Sequence, residues 1–249
     1  MRNGIVAGFR QTVGKWMLLV PLLIAALILV NFVNPIIRAY QENGRIFAGF
    51  HISLLMDGFR ADSVSFFLPV LAVLPFSGAF VDDVKTRFAR YFLIRSSYRG
   101  YLCSRVVTVF LAGGLSILLG ALLAWGLTAA VLIPLEVPAM GRPEKTDLRA
   151  ALCLLLFLTG GLWSMVGLAM STVMESKYIA YSAAFVTDYI LVILYERYLP
   201  KAFVLSPKNW LQPELWPYGC WGAAIFLLEL TALFAVLFCI RGERRLRTL

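Results

Sequence analysis

Charge is what this sequence has least of. Only 15% of its 249 residues are Asp, Glu, Lys or Arg, against about 25% in an average soluble domain. Apolar residues make up 60%, and the mean hydropathy is +0.80. A water-soluble domain of this size has too little interior to hide so much apolar surface, which excludes a soluble enzyme and makes lipid the solvent for the excess. Histidine is scarce as well. His51 stands alone, and Cys103, Cys153, Cys220 and Cys239 show no CxxC or zinc-type spacing, so metal-dependent hydrolysis has no ligand set. His51 itself reads as a solvated surface side chain beside Phe50.

A nucleotide site is also missing. The nearest approach to a phosphate-cradling loop runs from Gly8 to Gly14, Lys15 and Trp16. It has five residues between the glycines instead of four, and Trp where Ser or Thr would hold magnesium. No GxSxG elbow, Cys/His arrangement or paired acids lie within one apolar run. The expectation is a chain that is not an enzyme and holds no cofactor.

What is present is a set of long uncharged runs. A bilayer core about 30 Å thick takes about 20 helical residues. Residues 17–37, 63–81, 106–134 and 150–174 carry no charge, while 178–195 and 218–240 carry one acid each. This predicts an all-α integral membrane protein of six transmembrane helices forming one domain over 1–249. The first run follows Arg2, Arg10 and Lys15 but exceeds a signal-peptide core and meets no Ala-x-Ala site, so it is expected to remain as an anchor.

Lys and Arg then set the orientation. The segments on the side of the N-terminus hold 14 of them against 4 acids, and the remaining loops hold 9 against 8. By the positive-inside rule both termini are cytoplasmic, in what reads as a bacterial plasma membrane. The net charge of +9 thus belongs to sidedness and offers no reason to invoke nucleic acid.

Between the runs, residues 1–16 place Ile5, Phe9, Val13 and Trp16 on one face, an amphipathic helix for the cytoplasmic interface. Residues 82–100 place Phe88, Tyr91, Phe92 and Arg95 on one face among basic residues. Such a helix either lies on lipid as an anchor or docks its aromatic residues into a groove on a soluble partner. Ile46, Phe47, Phe50 and Leu54 suggest an external surface helix. Residues 196–217 combine Pro200, Pro207, Pro213 and Pro217 with Phe203, Trp210 and Trp216, predicting short re-entrant helices in the outer leaflet with tryptophans at headgroup depth. Gly160, Ser164, Gly167 and Ser171, with Gly113, Gly114 and Gly120, allow close helix approach in a bundle or at a dimer seam.

Two acids fall inside apolar runs, Asp188 and Glu229, both near the midplane, with no Lys or Arg inside any span to pair with them. They are expected to face the bundle or a polar cavity. Either they attract a cationic substrate or relay protons, or they are protonated and hydrogen-bond a neighbouring helix. They mark a candidate substrate pathway.

Taken together, these parts resemble the permease subunits of type-2 ABC exporters. The local matches are Pro75-Phe76-Ser77 leading to Asp82-Asp83, the run from Arg95 through Ser96, Ser97, Tyr98 and Tyr101 to Ser104-Arg105, and Leu205-Ser206-Pro207-Lys208-Asn209-Trp210-Leu211. The resemblance implies a dimer with a second permease copy or paralogue, and separate ATPase subunits that bind ATP and Mg. It implies that 82–100 is a cytoplasmic coupling helix, anchored to the ATPase by Phe88, Tyr91 and Phe92, with Asp82, Asp83, Lys85, Arg87 and Arg90 as polar contacts. The implied cargo is an amphiphilic small molecule, peptide or lipid-like substrate, moved outward along the dimer interface beneath the re-entrant segment, with membrane lipids as further partners. Two other classes remain from the residues alone. One is a non-transporting scaffold or immunity-type protein that binds a partner or toxin. The other is an intramembrane enzyme using Asp188 or Glu229, against which the lack of a second polar group in either span counts.

Overall fold

Five of the apolar runs fold into helices long enough to cross a membrane, and these make the chain a multi-pass membrane protein. The computed structural model describes residues 15–43, 46–47, 50–86, 98–137, 146–173 and 176–247. The interfacial helix expected over 1–16 lies almost wholly outside the described residues.

The helices are α1 (Lys15–Asn43), α2 (Phe50–Arg60), α3 (Asp62–Val73), α4 (Ala79–Lys85), α5 (Tyr98–Leu132), α6 (Thr146–Ser171), α7 (Lys177–Ile193) and α8 (Cys220–Arg247). A π turn, Leu194–Tyr198, extends α7. Two-residue strands, β1 (Ile46–Phe47) and β2 (Glu136–Val137), pair in parallel and tie the α1–α2 connection to the end of α5. At 35 residues α5 is about 52 Å long, far more than a hydrocarbon core, so its ends stand outside it.

The run 63–81, read as one span, is instead α3, a turn over 74–78, and α4. Pro75 has no N–H to continue the ladder, and counting uncharged residues does not register that loss. The break is tolerated because α6 supplies hydrogen bonds to it. The Ser77 hydroxyl donates to the Ser164 carbonyl at 3.1 Å, and the Ser164 hydroxyl donates to the Ala72 carbonyl at 2.6 Å.

Without water between helices, van der Waals packing and close approach hold the bundle. The tightest place is the α5–α6 seam, where a Cβ on Gly113 would lie 1.7 Å from the Ser164 hydroxyl and 2.8 Å from the Gly160 carbonyl. The small residues that suggested a dimer seam are therefore consumed inside the chain. Two apolar clusters form the core. The larger surrounds Ile24, Phe32, Leu155, Leu162 and Trp163, and the smaller surrounds Phe76, Phe80, Tyr101, Leu102 and Phe238. The second marks the basic end of the bundle, where Arg245 of α8 donates to the Ser171 and Thr172 carbonyls at the end of α6.

At the opposite end His51 departs from expectation. It is buried, its backbone N–H donates to Glu136 Oε1 at 3.0 Å, and its Nδ1 lies 2.8 Å from the same oxygen. The four described cysteines are free, and Cys220 faces the Ala151 carbonyl.

Candidate functional site

At the basic end, two adjacent acids leave α4 in different directions. Asp83 turns inward and is only 6% exposed. Its Oδ2 accepts from the Tyr101 hydroxyl and from Arg105 Nη2, both on α5. Tyr101 and Arg105 are four residues apart and share a helix face, which is why one carboxylate meets both. The Arg105 guanidinium also lies 5.2 Å from the Phe76 ring centroid and 5.6 Å from that of Tyr101. Burial pushes the Asp83 carboxyl above the ordinary carboxylate range, while Arg105 and the Tyr101 hydrogen bond pull the other way.

Asp82 turns to α7, where its Oδ1 meets Lys177 Nζ at 2.5 Å; these side chains stay 48% and 41% exposed. The Thr86 hydroxyl donates to the Asp82 carbonyl and closes the end of α4. Of the two acids expected to contact a partner, Asp83 is enclosed by the chain itself, and Asp82 is paired with Lys177 at the surface. Lys85 is exposed, and Arg87, Phe88, Arg90, Tyr91 and Phe92 lie outside the described residues.

Between the α3–α4 break and α7 opens a cleft of about 580 Å³, with an apolar lining from Leu74, Pro75, Phe76 and Ala79 and a polar lining from Asp82, Thr86, Lys177 and Tyr181. No feature of the sequence pointed to it, because Lys177 and Tyr181 come from about 100 residues further along the chain than the α3–α4 break.

The second candidate region lies within the bundle. Asp188 of α7 is 4% exposed, and its Oδ1 has no hydrogen-bond partner among the described residues. Thr159 Oγ1 of α6 is in the same condition. A Cβ on Gly167 would meet the Ala180 carbonyl at 3.0 Å, and α6 and α7 run antiparallel. Eight residues back along α6 and eight forward along α7 reach Thr159 and Asp188, so the two stand at the same height. Lys208, in the proline-rich segment, has its Nζ paired with Asp62. That pairing holds the Asp62 carboxyl below the ordinary range.

The proline-rich segment forms three 3-10 turns, Phe203–Leu205, Pro207–Leu211 and Pro213–Leu215. Its tryptophans Trp210 and Trp216 are buried against the protein. Trp210 is 1% exposed and stacks on Trp163 of α6 with ring centroids 5.7 Å apart. Trp210 Nε1 donates to the Val204 carbonyl at 2.7 Å, and Trp216 Nε1 to that of Asn209 at 2.9 Å, so the segment satisfies its own backbone.

Glu229 departs from its expected setting. It is exposed on the outer face of α8 among Ile225, Leu228 and Leu233, away from the bundle interior. The structure does not bring it together with Asp188 in one pathway. No protein-family model, curated protein or solved structure matches this chain.

Proposed function

We propose that this chain is the permease subunit of an ATP-driven exporter of the type-2 ABC kind. In this reading residues 63–81, through α3, its turn and the start of α4, make the second of six spans, and both termini are cytoplasmic in a bacterial plasma membrane. The working unit pairs the chain with a second permease copy or paralogue and with separate ATPase subunits that bind ATP and Mg. Its cargo is an amphiphilic small molecule, peptide or lipid-like compound.

The observation that carries this reading is the double attachment of α4. A segment that converts ATPase closure into helix movement needs a stiff link to more than one helix. Asp83 ties α4 to α5 through Tyr101 and Arg105, and Asp82 ties it to α7 through Lys177. Residues 87–97 follow α4 directly, so a push on them reaches both helices. Phe88, Tyr91 and Phe92 are the anchors on the ATPase in this scheme, with Lys85, Arg87 and Arg90 as polar contacts. Asp82 and Asp83, polar contacts in the same scheme, also position α4 through their bonds to α7 and α5. Asp188 beneath the 3-10 turns is the polar point on the substrate path.

The test is purification of the tagged chain from its native membrane. Phe88→Ala combined with Tyr91→Ala should release an ATPase subunit in detergent while the bundle stays folded. Unchanged co-purification and unchanged ATP hydrolysis would overturn the assignment.

A further inference from the structure

The cleft at the basic end has a chemistry that the transport reading does not use. Among the described residues its polar lining carries one accessible anion and one accessible cation side by side, Asp82 and Lys177. Asp83 adds no free charge, since Arg105 compensates it in the interior. Charge among the described lining residues is therefore balanced, and a ligand that is purely anionic or purely cationic meets repulsion from one member of the pair. A ligand with both signs, laid antiparallel along the pair, satisfies both.

The geometry leaves room for such a ligand. Lys177 gives one of its three N–H groups to Asp82 Oδ1, and the carboxylate keeps its second oxygen. The Tyr181 hydroxyl stands over the turn because Gly78 has no side chain: a Cβ there would lie 2.6 Å from that hydroxyl and 3.4 Å from Lys177 Cγ. The rest of the lining, Leu74, Pro75, Phe76 and Ala79, is apolar. The cleft sits where α7 begins and α4 ends, which in the six-span reading is the level where a bilayer changes from headgroup to hydrocarbon. Its volume of about 580 Å³ is in the range of ligand sites.

We propose that this cleft binds the headgroup of a zwitterionic aminophospholipid from the adjoining leaflet. The phosphate lies against Lys177 Nζ and the Tyr181 hydroxyl. The primary ammonium donates to the free oxygen of Asp82, and the first carbons of the lipid lie along Leu74, Pro75, Phe76 and Ala79. The apolar wall selects a lipid over a soluble amino-phosphate. The ammonium contact selects phosphatidylethanolamine over phosphatidylcholine, whose trimethylated nitrogen has no hydrogen to donate. This inference stands independently of any ATPase.

The full chain, purified in detergent and supplied with single lipids, tests it by native mass spectrometry of the lipid retained. Wild type should hold phosphatidylethanolamine about tenfold more than phosphatidylcholine, the worth of one charge-assisted hydrogen bond. Asp82→Asn should bring the two lipids to equal retention, and Lys177→Met should lower both. Ala79→Trp, which fills the cleft and leaves the ion pair in place, should lower both as well. Equal retention of the two lipids by wild type overturns the proposal, as does full phosphatidylethanolamine preference in a folded Asp82→Asn chain. Glycerophosphoethanolamine displacing the lipid at equal concentration overturns the lipid assignment. The wild-type comparison decides the matter even where a variant fails to fold.

Discussion

Two acids of this chain lie in opposite circumstances. Asp83, at the basic end, is buried against Tyr101 and Arg105 and has both a cation and a hydroxyl on one oxygen. Asp188, deep in the bundle, is as well buried, yet one of its oxygens meets no donor among the described residues. A paired buried charge holds two helices at a fixed spacing, whereas an unpaired one costs free energy that only function or a later partner offsets. The first arrangement suits the transmission of force, and the second suits a site that waits for something to bind.

The sharpest way to break this contrast is to remove Asp83. Asp83→Ala strands Arg105 in the interior and should lower stability by about 3–5 kcal/mol, read as an earlier thermal unfolding in detergent. Asp83→Leu combined with Arg105→Met removes both charges and should recover most of that loss; a double variant as unstable as the single would show that the pair is not what binds α4 to α5.

Trp210→Ala comes next. It empties the stack on Trp163 and should cost about 3 kcal/mol, with increased protease cleavage within 203–215 as the second readout. Asp188→Leu should move the other way, stabilising the bundle by about 1–2 kcal/mol, because an unsatisfied polar group is exchanged for packing. Equal loss of stability in Asp83→Ala and Asp188→Leu would erase the distinction drawn here. If Asp188 lies on a substrate path, Asp188→Asn should slow transport without altering the unfolding temperature. The smallest effect belongs to Lys208→Met. Its partner Asp62 is exposed, so the stability change should stay under about 0.5 kcal/mol.

The apolar runs made five spanning helices legible, and the aromatic and proline content of 196–217 marked an irregular element. The faces were harder to read. Depth along a helix follows from counting, but direction depends on neighbours. A usable signal was present nonetheless. Asp188 continues a four-residue stripe of small residues, Ala180 and Ala184, that pack inward, whereas Glu229 stands midway between Ile225 and Leu233, bulky residues that face out. Trp210 could not be placed this way, because an interfacial tryptophan and a buried one with its N–H bonded to a loop carbonyl have the same sequence surroundings. The pairing of Asp82 and Asp83 with Lys177, Tyr101 and Arg105 joins segments far apart in the chain, and no local pattern encodes it. His51 was misjudged for the same reason, since Glu136 arrives from 85 residues away.

The crossing of α5 over α6 at Gly113 and Gly160 has a mechanical side. Tyr101 lies about 18 Å from Gly113 along α5, and Trp125 lies about 18 Å beyond it. Gly120, about 10 Å further along, is pressed as closely on α1 at Ile24 and Pro21, so α5 is clamped on two sides and acts as a fixed strut between its ends. Trp125 stands 6.4 Å from His51, which puts the single histidine of the chain at the far end of that strut from Tyr101.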